Sequence, residues 1–137
     1  MEHTIICQYT EGMAFEAEVN EHTVVMDSET EFGGRDSGPR PKPLLLVSLA
    51  GCTGMDVVAL LEKMRVTYAD FKVEVSGTLT EEHPKYYHKI HITYRFQGDD
   101  LPLDKIEKAV QLSQEKYCGV SAMLSKAAQI SHEIVLD

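Results

Sequence analysis

Three cysteines, Cys7, Cys52 and Cys118, are the residues of this 137-residue chain best suited to covalent chemistry. Cys52 stands among Ala50, Gly51, Thr53 and Gly54, small residues that let another backbone or a ligand come close. A cysteine in so apolar a stretch is either an inert small hydrophobe or a nucleophile. Cys118 follows Tyr117 and precedes Gly119-Val120-Ser121, which reads as a helix start. It either caps that helix as a serine would, or meets free N–H groups and the positive end of the helix dipole. The latter lower a thiol's pKa and favour the thiolate. As a pair the two thiols have the parts of a peroxidatic site. One thiolate attacks an O–O bond and becomes a sulfenic acid, and the second thiol condenses with it to a disulfide. Spacing along the chain does not bring them together; the fold must.

Other reactive side chains carry weaker signals. His83, His88 and His91 lie near Glu81 and Glu82. His88 and His91 are three apart in an expected strand and so point to opposite faces. No Cys-x-x-Cys or His-Glu-x-x-His spacing supports a metal, and none is expected. Cys7 belongs to an edge-like first strand and reads as structural. Asp56 and Tyr86-Tyr87 read as a polar group inside a helix and as surface. Gly33-Gly34 lacks the strand–turn–helix context of a phosphate loop.

The elements that must position the cysteines follow from periodicity. Thr4–Tyr9, Met13–Val19 and Thr23–Asp27 read as three strands joined by turns at Glu11-Gly12 and Asn20-Glu21-His22, a β-meander. The stretch 32–43 holds three Gly and three Pro and is a loop; with Arg35, Arg40 and Lys42 against Asp36 it is also basic. Pro43 suits a first helical position, and a helix is expected from Leu44 to Met64. Between Leu44 and Leu61 its only charge is Asp56. Such a run is either a membrane span or a helix buried on nearly all sides, and the second is the simpler reading in a polar, acidic chain. Alternation at Phe71, Val73 and Val75, and at Ile90, Ile92, Tyr94 and Phe96, gives two more strands. Leu103, Ile106, Ala109 and Val110 define an amphipathic helix to about Glu115. A third helix runs from Cys118 to about Ala128, and a closing strand from Ile130 to Leu136. The order is βββ-α-ββ-αα-β. Because strand and helix do not alternate, the expectation is an α+β fold with antiparallel sheets around one long central helix, in a single domain over residues 1–137.

Composition narrows the function. Acidic residues outnumber basic ones by 22 to 13, a net charge of −9, which disfavours nucleic acid and anionic membranes as partners. An odd count of three widely spaced cysteines is not a secreted disulfide scaffold, and residues 1–8 show no signal peptide. A reducing cytoplasm is expected.

The segment from Pro41-Lys42-Pro43 through Ala50-Gly51-Cys52 to Val57-Val58 resembles the central helix of the OsmC/Ohr superfamily, a proline followed by an apolar helix reaching Ala-x-Cys. Ala109 through Tyr117-Cys118-Gly119-Val120-Ser121 resembles that family's second motif, usually Cys-Pro-Val-Ser. The order of elements agrees, so the resemblance covers nearly the whole chain. It implies an intertwined homodimer that reduces organic hydroperoxides in oxidative stress defence. Cys52 would be the peroxidatic thiol and Cys118 the resolving thiol. The disulfide would be reset by a dithiol reductant such as a lipoylated protein or thioredoxin, with no metal, haem or flavin. Three positions differ from the pattern. Arg40-Pro41-Lys42 stands where Asn-Pro-Glu is usual, Gly119 replaces Pro, and no arginine occurs between Met1 and Gly34. Arg40 and Lys42 are therefore the cations expected to support the Cys52 thiolate, since an opposite charge within a few Å lowers a pKa by ~1–3 units. The alternative is a non-catalytic dimer of this type that binds a small apolar ligand or senses redox state.

Overall fold

The computed structural model describes all residues, Met1–Asp137, in two compact units, Met1–Leu45 and Leu46–Asp137. The first unit is the expected meander. Strands β1 (Cys7–Tyr9), β2 (Phe15–Val19) and β3 (His22–Met26) pair antiparallel in the order β1-β2-β3. Asn20 and Glu21 both take positive φ, 50° and 67°, between the paired Val19 and His22. That conformation is the two-residue turn whose twist matches the strands it joins.

The Gly/Pro loop after β3 is ordered by one carboxylate. Asp27, buried, accepts the N–H groups of Ser28, Arg35 and Ser37 and the hydroxyl of Ser37 at 2.6–3.1 Å. Glycine is required where the loop folds back. A Cβ on Gly34 would stand 2.0 Å from the Ser28 carbonyl oxygen.

The second unit is built on a mixed sheet in the order β4-β5-β6, with β4 Asp70–Leu79, β5 Tyr87–Gln97 and β6 Gln129–Leu136. Strands β4 and β5 form a hairpin, but β5 and β6 are parallel, which corrects the expectation of purely antiparallel sheets. The reason lies in the connection. Helices α2 (Leu103–Leu112) and α3 (Gly119–Leu124) occupy it and return the chain to the end where β5 began. Parallel pairing needs a crossover of that kind.

The core gathers Ile90, Ile92, Tyr94 and Phe96 from β5, Leu49, Val57 and Leu61 from the central helix, and Ile106, Ala109 and Val110 from α2. Burying each larger side chain stabilises the unit by about 1.5–3 kcal/mol.

The central helix, α1 (Pro43–Lys63), matches the sequence expectation in position and length. It does not match in burial. Only Leu49, Thr53, Val57 and Leu61 are fully enclosed, a stripe at four-residue spacing, while Leu45, Val47, Met55 and Val58 are exposed. Four-residue spacing is the single face that a straight helix turns to one core. By length and hydropathy α1 is apolar enough to cross a membrane, yet that stripe is built into the core.

Candidate thiol site

Cys52 and Asp56 are four residues apart on α1 and so share a face, one above the other. Cys118 comes from the N-cap of α3. The two Sγ atoms and a carboxylate oxygen of Asp56 all lie within 4.8 Å of one another. The sequence pair is thus brought together, both cysteines as free thiols. Their surroundings differ. Cys118 is buried, at 3% exposure, whereas Cys52 is half-buried. Of the two thiol residues, Cys52 is the more exposed to solvent.

The chain reaches Cys118 through a wide turn. After Leu112 the helix opens into a π turn over Ser113–Tyr117, and the Cys118 N–H reaches back five residues to the Ser113 carbonyl at 2.7 Å. Such turns recur at functional sites because they displace side chains from the helical face they would otherwise occupy. The sequence reading continued α2 to Glu115, because Ser113, Gln114 and Glu115 do not break a helical pattern. It also ran α3 to Ala128, but α3 ends at Leu124.

Cys118 caps α3 as expected, with its Sγ accepting the Ser121 N–H at 3.3 Å. The expected acidification does not follow. Burial pushes the Cys118 thiol up to about 11, outweighing the Ser121 N–H, and the neighbouring Cys52 and Asp56 push in the same direction. Desolvation disfavours the charged form, and a six-residue helix offers little to oppose it. Cys118 is a protonated thiol at neutral pH.

Around the sulfurs runs a polar network drawn from four elements, α1, β5, the π turn and α3. The Ser113 hydroxyl donates to Asp56 Oδ2 at 2.9 Å. A hydroxyl has one proton, so Ser113 must accept from Thr53 Oγ1 at 2.7 Å, and Thr53 from the Tyr94 hydroxyl at 2.7 Å. Gln114 Nε2 donates to Tyr94 Oη at 2.9 Å and to Thr53 Oγ1 at 3.2 Å, and its Oε1 accepts the Ser121 hydroxyl at 2.7 Å. Every proton in this chain points towards the Asp56 carboxylate. Burial raises the Tyr94 phenol, which keeps it a donor. No buried side-chain polar atom lacks a partner.

Arg40 is in the first unit, where its Nε donates to Glu29 at 2.5 Å and a terminal nitrogen donates to Asp36 at 2.7 Å and to the Gly38 carbonyl at 2.8 Å. Lys42 is exposed just ahead of α1. His91 bonds Ser131 Oγ at 2.7 Å and joins no cluster of ligating side chains. Two sulfurs and a carboxylate form the one donor set close enough to hold a cation, three donors where a tetrahedral shell takes four. Sequence reasoning missed Asp56, Thr53, Tyr94, Ser113 and Gln114 as site residues. The four-residue spacing of Cys52 and Asp56 was the available signal.

The model for an OsmC-like protein matches residues 34–133. The chain belongs to the OsmC-like family. Among relatives of this OsmC-like chain, Protein YhfA of Escherichia coli strain K12 is 34% identical over 126 residues, 91% of each chain. A crystal structure of a protein from Aquifex aeolicus superposes with a TM-score of 0.83 at 32% identity, covering 100% of this chain and 99% of that one. An organic hydroperoxide resistance protein OsmC from Legionella pneumophila shares the fold, with a TM-score of 0.67 at 16% identity and 97% coverage of both chains. The α+β fold with its two three-stranded sheets is that of OsmC-like structures.

Proposed function

We propose that this OsmC-like protein is a thiol peroxidase for organic hydroperoxides, acting in oxidative stress defence in the cytoplasm. Family membership suggests a redox or stress-defence role. The observation that carries the finer reading is the asymmetry of the pair: a half-buried Cys52 within 4.8 Å of a buried, protonated Cys118. The Cys52 thiolate attacks the peroxide, breaking its O–O bond, releasing an alcohol and leaving a sulfenic acid. Cys118, already adjacent, displaces the sulfenic oxygen as water and forms the disulfide. A dithiol, such as a lipoylated protein or thioredoxin, exchanges with that disulfide and restores both thiols. Of the two cations proposed to support the Cys52 thiolate, Arg40 is already engaged by Glu29 and Asp36, so we assign the role to Lys42.

The working form we propose is an intertwined homodimer. OsmC/Ohr proteins are typically homodimeric, and α1 exposes Val47, Met55 and Val58 along one side, a hydrophobic face of the kind a second copy covers.

Consumption of cumene hydroperoxide with dihydrolipoamide as reductant tests the activity. Many turnovers per chain, abolished in Cys52→Ser, are expected. Consumption unaffected by Cys52→Ser, or none with the native chain, overturns the reading.

A further inference from the structure

The resolving step of the proposed cycle has a difficulty that the two cysteines cannot meet alone. Cys118 must attack as a nucleophile, yet burial holds it as a thiol at neutral pH. Thiolates attack and thiols do not. Something must take its proton, and the sulfenic oxygen must receive one to leave as water.

Asp56 is the group so placed. Its carboxylate lies within 4.8 Å of both sulfurs. Ser113 donates to Oδ2, and behind Ser113 the donors Thr53, Tyr94 and Gln114 hold that arrangement. A carboxylate that accepts on one oxygen and is fixed by a buried chain keeps its other lone pairs for a proton beside it. A crevice of about 180 Å³, lined by Asp56, Ala59, Leu60, Lys63 and Tyr117, opens onto it and is large enough for water to leave.

We propose that Asp56 shuttles the proton of the resolving step. As the Cys118 sulfur attacks Cys52, its S–H proton passes to the Asp56 carboxylate, the S–S bond forms and the S–O bond of the sulfenic acid breaks. Asp56 then returns the proton to the departing hydroxide, which leaves as water. The Cys52 sulfur is reduced by one and the Cys118 sulfur oxidised by one, and Asp56 ends as it began. This rests on the peroxidase reading for its oxidant, but the proton transfer itself belongs to any attack of Cys118 on an oxidised Cys52.

That independence supplies the test. In a Cys7→Ser background, which removes the exposed third thiol, Cys52 is loaded with a thionitrobenzoate group by Ellman's reagent. Attack by Cys118 then releases a second thionitrobenzoate at a rate independent of reagent concentration, with no peroxide involved. The groups that face Asp56 and titrate are Cys52, Cys118, Tyr94, Tyr117 and Lys63. With Asp56 acting as base, the second release is nearly flat between pH 6 and pH 8, because the reacting form is thiol plus carboxylate. In Asp56→Asn, which keeps an acceptor for Ser113, the second release falls ~100-fold at pH 7 and climbs tenfold per pH unit, since only preformed thiolate reacts. A release equally fast or faster in Asp56→Asn overturns the proposal, because removing a negative charge would then merely have helped Cys118 ionise. A native pH slope as steep as the variant's overturns it too, as does a native chain that stops after one release. Failure of peroxide turnover with this signature intact would strike the peroxidase reading alone.

Discussion

Ser113 donates its hydroxyl proton to Asp56 across 2.9 Å, and Asp56 stands one helical turn beyond Cys52. The π turn that places Ser113 also ends at Cys118. One local irregularity therefore sets both the Cys118 sulfur and the hydroxyl that anchors the carboxylate beside the two sulfurs. The consequences can be measured residue by residue.

Cys118→Ser removes the thiol proposed to condense with an oxidised Cys52 and retains a cap for Ser121. Under excess cumene hydroperoxide this variant is expected to advance to the sulfinic acid at Cys52, while the native chain stops at the disulfide. Intact-mass measurement distinguishes the products. Equal resistance of both proteins to over-oxidation would contradict the role given to Cys118.

Thr53 is the junction of the polar network, fully buried and bonded to Tyr94, Ser113 and Gln114. Thr53→Val keeps the shape and strands those partners, which is expected to cost about 1–3 kcal/mol. Thr53→Ser restores most of it. Urea unfolding followed by circular dichroism measures both, and a Val variant as stable as the native chain would show that the network contributes nothing net.

Asp27 couples the first unit to pH. The Ser37 hydroxyl first, then the N–H groups of Ser28 and Ser37, hold its carboxyl well below the ordinary value of 3.8 against the opposing effect of burial. A depressed folded-state pKa contributes stability that is present above the unfolded value and lost as pH falls below it. Asp27→Asn is therefore expected to be less stable than the native chain at pH 7, with the gap narrowing progressively below pH 3.8. Thermal melts of both proteins across that range measure it, and a gap that does not depend on pH would contradict the assignment.

Much of the architecture was legible from the sequence, because strand alternation and helical spacing survive in single segments. The meander, the position of α1 and the order βββ-α-ββ-αα-β all follow from such local patterns. What was not legible depends on packing. Residues Ser113–Tyr117 carry no helix breaker, so only the tertiary network around Thr53 and Asp56 explains the wide turn. A helix N-cap argues for an acidic Cys118, and burial, which the sequence does not display, reverses the sign. Asp56 looked like a stray charge in an apolar helix because its meaning depends on a cysteine 62 residues further along the chain. Residues of α1 that read as core are exposed in the single chain, since an apolar surface looks the same in sequence whether its own chain or a second copy covers it.

That exposed face leads to an association experiment. Met55 is 76% exposed on α1, and an aspartate there is expected to leave the single chain folded. Sedimentation of the native protein at twice the chain mass, and of Met55→Asp at the chain mass, is expected. A native protein that sediments as a monomer at micromolar concentration would contradict the proposed dimer.

The most direct test is peptide mapping after a single equivalent of cumene hydroperoxide, quenched by acid within seconds. The expected product is one disulfide joining Cys52 to Cys118, absent in Cys52→Ser, with Cys7 left as a thiol. Two free thiols at positions 52 and 118, or oxidation confined to Cys7, would contradict the account.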